Sequence, residues 1–189
     1  MLLENKNAVI YGGGGAIGSA VARAFAREGA RVFLAGRTRE PLEEVVEEIR
    51  SAGGMAETAV LDAFDERAVD KHADAIAASA GSIDVSFKLI SHGDVQGTPL
   101  AEMSLEDFER PIRTAFIRVV TLQSGGVPEA IPDDFYGRDA IVEMIVGATM
   151  LGRAATFEDV GNVAAFAASD LARTITGTNI NITSGAVAD

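Results

Sequence analysis

The stretch Ala8-Val9-Ile10-Tyr11-Gly12-Gly13-Gly14-Gly15-Ala16-Ile17-Gly18 decides how the rest of the chain is read. Ala8 to Tyr11 is a short apolar run stopped by glycine, the pattern of a buried strand. Beyond the glycines, Ile17, Ala20, Val21, Ala24 and Phe25 recur at helical spacing, and Gly29 can end that stripe. Each glycine in regular structure costs roughly 0.5–1 kcal/mol relative to alanine, so four in a row need a geometric reason. Close approach of the backbone to a pyrophosphate supplies one, because the helix start behind the turn offers free N–H groups and the positive end of a dipole. The plainer alternative is a tight strand-to-helix turn with no ligand.

Outward from the turn the alternation continues. Residues 31–35 read as a second strand. Leu42, Val45, Val46 and Ile49 mark a second helix, with Thr38 as N-cap and Gly53 or Gly54 as stop. Glu43, Glu44, Glu47 and Glu48 form its solvated face. A third strand spans 56–61, an alanine-rich helix 66–80, and a fourth strand 83–90; Ser104 and Asp107 then make a capping box. Strands alternating with helices predict an α/β fold, a parallel sheet flanked by helices on both faces. From Ile117 the pattern resumes: a strand over 117–122, a Gly/Pro loop through Pro132, a helical segment over 133–150 opened by Asp133 and Asp134, a helix behind the Thr156/Asp159 capping box, and a last strand over 178–183. The whole reads as one domain over 1–189, made of a block 1–116 and a block 117–189 that completes the sheet.

Composition narrows the function classes. The chain has 189 residues, 48% hydrophobic and 23% charged, which fits a globular domain and excludes fibrous and disordered classes. With no cysteine and only His72 and His92, a thiolate cluster, a thiol nucleophile and a histidine-rich metal site are all disfavoured. A formal net charge of -12 argues against a broad nucleic-acid or anionic-lipid surface, although a local basic pocket is compatible with it. The start MLLENKN has no signal-peptide pattern and no run approaches a membrane span, so the expected location is the cytoplasm.

The end of the second strand selects the nucleotide, since a carboxylate there would bond a ribose 2′-hydroxyl. The chain instead reads Ala35-Gly36-Arg37-Thr38-Arg39. An arginine fork pairs with a 2′-phosphate, so the expected cofactor is NADP, with NAD less favoured. Two surface arginines opening an exposed helix are the alternative.

At these residues the chain resembles the short-chain dehydrogenase/reductase family. Tyr11 to Gly18 is similar to the family's Thr-Gly-x-x-x-Gly-Ile-Gly, with tyrosine and alanine at two positions. Leu61-Asp62 looks like the adenine-contacting aspartate after strand three, Ile90-Ser91-His92-Gly93 stands where the family usually has Asn-Asn-Ala-Gly, and Thr156 to Asp170 followed by Thr174 to Thr178 looks like its final helix and the entry to its last strand. The resemblance implies a Rossmann-type doubly wound sheet. It also implies hydride transfer between NADP(H) and a small-molecule carbonyl or alcohol, and a homo-oligomer, dimer or tetramer. The cofactor residues it implies are Gly12, Gly14, Gly15, Ala16, Ile17, Arg37, Arg39, Asp62, Ala63, Ser91, His92 and Gly93.

The family's catalytic serine and its tyrosine with a lysine four residues on cannot be placed. The two tyrosines are Tyr11 and Tyr136, followed four residues later by Gly15 and Ala140, and Pro111 stands where the helix after strand four often carries an asparagine. The helix opened at Ser104 also runs into the strand at Ile117 with no turn residue between them, although such connections normally need a few residues and a glycine. Both observations point to the bond between Phe116 and Ile117, where a central segment of the family pattern, one strand and its helices, is missing. Two explanations stay open: a connecting segment absent from this sequence, or a true deletion whose product is an inactive nucleotide-binding sensor or scaffold.

Other residues have plainer readings. Lys88 is expected at a strand end with its amine reaching water, His92 in a loop near the cofactor with a catalytic role as the alternative, and His72 on a helix surface. Ser124-Gly125-Gly126 occupies the family's Pro-Gly position near the nicotinamide, which implies backbone contacts.

Overall fold

The computed structural model of the chain describes residues 1–90, 102–107, 120–175 and 178–187. Three βα units and a fourth strand open it: β1 (Asn7–Tyr11), α1 (Ala16–Arg27), β2 (Arg31–Gly36), α2 (Arg39–Ser51), β3 (Met55–Val60), α3 (Glu66–Ala80) and β4 (Val85–Lys88). After them come β5 (Thr121–Ser124), a 3-10 turn (Pro128–Ala130), α4 (Arg138–Gly147), α5 (Phe157–Ala168), a second 3-10 turn (Asp170–Ala172) and β6 (Asn179–Ile182).

Every ladder is parallel. One sheet has the order β3-β2-β1-β4, and β5 pairs with β6 in a second. Parallel neighbours require crossovers, and the helices that make them cover both faces, which is why β1 and β2 are continuously apolar. Alternation assigns the faces. Ala8, Ile10, Val32 and Leu34 pack with Val21 and Phe25 of α1, Leu42 and Val46 of α2, and Val160, Ala164 and Ile182 from the second half of the chain. Val9, Tyr11, Phe33 and Ala35 face the other way, onto Ile76 of α3. The expected α/β architecture, a doubly wound parallel sheet, is therefore what forms.

Both halves of the chain contribute to the first core. A Cβ on Gly161 of α5 would stand 2.9 Å from Cβ of Ala24, so the missing side chain lets α5 sit directly on α1. Lys6 pairs with Asp170 at 3.2 Å and Arg27 donates to Asn162 at 2.7 Å around that contact.

Some expectations shift. β4 is shorter than 83–90, and just ahead of it Asp84 both donates its amide to the Asn7 carbonyl at 2.9 Å and accepts from the Asn7 amide through its carboxylate at 2.8 Å. β5 runs to Ser124 with Val120 outside it, and residues 117–119 of the expected strand lie outside the described residues, as does the junction at Phe116. Asp133 and Asp134 do not open a helix. Gly137 adopts a left-handed conformation (φ 83), so the helix starts behind it at Arg138, and Asp133 sits in the preceding turn 3.5 Å from the Arg138 guanidinium. The Thr156/Asp159 capping box forms in full, whereas Thr38 occupies its cap position without a side-chain bond. Among the described residues no helix is long and apolar enough to cross a membrane, and no cluster of acidic or histidine ligands could hold a metal ion.

Candidate nucleotide-binding site

The strand register brings the glycine turn, Arg37 and Asp62 to one edge. Tyr11 aligns with Ala35 and with Lys88, and Gly36 aligns with Val60, so the chain leaves β1, β2, β3 and β4 at the same carboxyl edge. The Leu61 amide donates to the Gly36 carbonyl at 2.9 Å, so the pairing of β2 with β3 holds up to the turns that carry Arg37 and Asp62. In an open parallel sheet this edge is where ligands bind.

The glycine turn is built from inside. Gly12 has φ +89, and its Cβ would fall 2.3 Å from the Leu89 carbonyl oxygen; the amides of Gly12 and Gly13 both donate to the Ala35 carbonyl, at 2.8 and 3.1 Å. A Cβ on Gly13 would meet Leu34, one on Gly14 would meet Pro41 at 3.2 Å, and one on Gly18 would meet the Gly12 carbonyl. Gly15 is different. Its Cβ would touch only the Gly12 carbonyl oxygen at 3.5 Å, an ordinary contact, and Gly15 and Ala16 are exposed. Chain packing thus accounts for the other glycines and leaves the bare face at Gly15 open to an incoming group. Gly15 also caps α1 without a side-chain acceptor, so the first-turn N–H groups remain available to an anion. These features fit a dinucleotide pyrophosphate.

Arg37 follows β2 exposed and has neither a hydrogen-bond nor an ion-pair partner among the described residues. Arg39 is engaged with Glu43 one turn along α2, at 3.2 Å. The two arginines are thus not equivalent: Arg39 is held in an ion pair on its own helix, and Arg37 is not. Asp62 is exposed and accepts from the Phe64 amide through one carboxylate oxygen at 3.0 Å, which leaves the other facing solvent, with Ala63 next in the same turn. Ser91, His92 and Gly93 lie outside the described residues.

His72 departs from its expected surface position. It lies half-buried against Tyr11, ring centroids 6.1 Å apart and edge-on at 82°, and its Nδ1 is buried without a hydrogen-bond partner. Burial holds its pKa below the ordinary histidine value, while burial and the nearby Asp70 carboxylate push the Tyr11 hydroxyl up. Residue spacing on α3 carried a signal for this, since His72 stands four residues before Ile76 and shares its face.

Neither tyrosine is placed for acid–base chemistry. Tyr11 lies in the sheet, and Tyr136 is 98% exposed in the turn ahead of α4. The glycines after β5 are explained by packing: a Cβ on Gly125 would lie 3.4 Å from Cα of Thr183, and one on Gly126 would lie 2.8 Å from Ile145. Lys88 is exposed at the end of β4, as its sequence position suggested.

The family model for short chain dehydrogenase matches residues 6–169. The chain belongs to this family. Among its relatives, the "Uncharacterized oxidoreductase YxbG" of Bacillus subtilis is 42% identical over 110 residues, which are 58% of this chain and 40% of that protein. The chain thus spans about two fifths of that relative's length. Among solved structures, a short chain dehydrogenase from Burkholderia cenocepacia J2315 in complex with NADP aligns over 100% of both chains with a TM-score of 0.76 and 20% identity. An NAD+-bound xylitol dehydrogenase aligns over 96% of this chain and 99% of its own with a TM-score of 0.73 and 18% identity. At such identities these two structures speak for the shared fold.

Proposed function

We propose that this short-chain dehydrogenase binds a nicotinamide dinucleotide along the carboxyl edge of β1 to β4, prefers NADP(H) to NAD(H), and serves hydride exchange with a small-molecule carbonyl or alcohol. Arg37 carries the reading: an exposed guanidinium with no partner among the described residues stands at the end of β2, where a carboxylate would be needed for a free ribose 2′-hydroxyl. In this arrangement the turn from Gly12 to Ile17 and the first turn of α1 hold the pyrophosphate, Arg37 the 2′-phosphate, and Asp62 with Ala63 the adenine edge. Arg39 stays in its ion pair with Glu43 at the rim of this site, and Ser91, His92 and Gly93 are assigned to the nicotinamide side by resemblance. The bound dinucleotide supplies or accepts the hydride.

The acid–base group belongs to the segment that the family carries between the two halves of this chain. The split of the sheet between β4 and β5 supports that reading, because each of those strands has a ladder on one side only among the described residues. Unpaired buried backbone groups cost about 1–3 kcal/mol each, which an intervening strand would recover. A second reading, a nucleotide-binding sensor or scaffold without turnover, is favoured by one observation: neither tyrosine has a lysine four residues on.

Fluorescence titration with NADPH and NADH tests the cofactor assignment. Tighter NADPH binding is expected, and equal dissociation constants would overturn it. NADPH consumption over a panel of carbonyl compounds, together with the intact mass, separates the two functional readings. A natural protein of 19.7 kDa that binds NADPH without turnover is the sensor.

A further inference from the structure

We propose that the contact between Tyr11 and His72 is a pH-sensitive latch that ties α3 to the glycine turn while His72 is neutral and releases it when the imidazole takes up a proton. Tyr11 is the residue immediately before Gly12, so its ring links α3 to the start of the turn. The tyrosine stands where the motif that the chain resembles usually has threonine.

Geometry makes α3 sensitive to one charge. Of its residues only Ile76 is fully buried, and the helix holds to the sheet through Ile76 and the half-buried residues around it, His72 among them. The buried Nδ1 has no partner. An imidazolium donates from both ring nitrogens, so a protonated His72 needs an acceptor that the closed contact does not offer, and water reaches Nδ1 only if α3 moves off the sheet.

The surroundings settle the sign. From β2 the facing side chains are the apolar Phe33 and Ala35. Lys88 of β4 stands in register with Tyr11 on the same face, and the Asp70 carboxylate of α3 lies near the Tyr11 hydroxyl. Desolvation is the largest effect on His72 and lowers its affinity for protons below the ordinary 6.5. The open state therefore binds the proton first, and attachment of α3 weakens as pH falls below that value.

Hydrogen exchange of the α3 amides, corrected for intrinsic rates, reads the latch directly at about pH 8 and about pH 5.5, the window of histidine titration. Opening should increase roughly threefold to tenfold more in the wild type than in His72→Phe or His72→Gln, whose side chains do not titrate. The same factor should appear as a weaker NADPH dissociation constant at the lower pH, an arm that rests on the proposed cofactor site. Equal pH responses in wild type and both variants would overturn the latch, as would a His72 midpoint at or above 6.5 in proton NMR of His92→Asn. If NADPH binds at neither pH the cofactor assignment fails, and the exchange data still decide the latch.

Discussion

The Cβ that Gly18 lacks would stand 2.2 Å from the carbonyl oxygen of Gly12. Gly12 is held at φ +89 with its amide on Ala35, and Gly18 lies inside α1, so no side-chain rotation relieves an added methyl. Gly18→Ala should destabilise the protein by about 1–3 kcal/mol in urea titration and weaken NADPH binding with it. Gly15→Ala meets only an ordinary contact. It should leave stability within about 0.5 kcal/mol while still obstructing the pyrophosphate, so the two variants separate folding from binding.

Arg37 and Arg39 should behave differently although they lie two residues apart. Loss of a charge-assisted hydrogen bond to a 2′-phosphate costs about 1.5–3 kcal/mol, so Arg37→Ala should raise the NADPH dissociation constant about tenfold to a hundredfold and leave NADH unchanged. Arg39→Ala removes an exposed pair with Glu43, and its effect on stability should stay under about 0.5 kcal/mol. Parallel titrations with both nucleotides check the pair of variants.

The glycine turn, the three opening βα units with the strand after them, and the capping box at Thr156 were legible because each has a local cause: apolar periodicity, a glycine after it, or an oxygen three residues ahead of its partner. The start of α4 was not, since the left-handed Gly137 outweighs the helix-opening character of Asp133 and Asp134. His72 was misplaced for a related reason. A histidine in an alanine-rich helix looks superficial until the facing strand residue is known, and here that residue is Tyr11. The inequality of Arg37 and Arg39 depends on where Glu43 falls along α2, which spacing alone suggests but does not decide. Division of the strands into two sheets was foreshadowed by the abrupt change of pattern at Phe116.

The close approach of Gly161 to Ala24 tests whether the two blocks fold as one domain. They share a core in which Val160, Ala164 and Ala165 lie against the α1 side of the first sheet. Gly161→Leu should push α5 off α1 and cost about 1–3 kcal/mol. If the blocks are one cooperative unit, far-UV circular dichroism and Tyr11 emission in a Tyr136→Phe background should move together in denaturant, for wild type and variant alike. A second transition confined to the variant would show that the blocks fold independently.

The N-terminus of α5 gives a prediction for acid pH. Thr156 Oγ1 accepts from the Asp159 amide at 3.1 Å, the Asp159 carboxylate accepts from the Thr156 amide at 3.0 Å, and Glu129 accepts from the Phe157 amide. The backbone bond from Thr156, then its hydroxyl and, more weakly, Arg153, hold the Asp159 carboxyl below its usual pKa. A depressed carboxyl contributes stability that is present above its unfolded-state pKa and lost as pH falls through the folded value. Asp159→Asn should therefore be less stable than wild type at neutral pH, and the gap should close as pH drops below the ordinary 3.8. Thr156→Ala should cost about 1 kcal/mol at neutral pH by removing the other half of the box. Thermal unfolding of wild type and both variants across that range checks the sign, and a gap for Asp159→Asn that persists at the acid end would assign its effect to packing instead of charge.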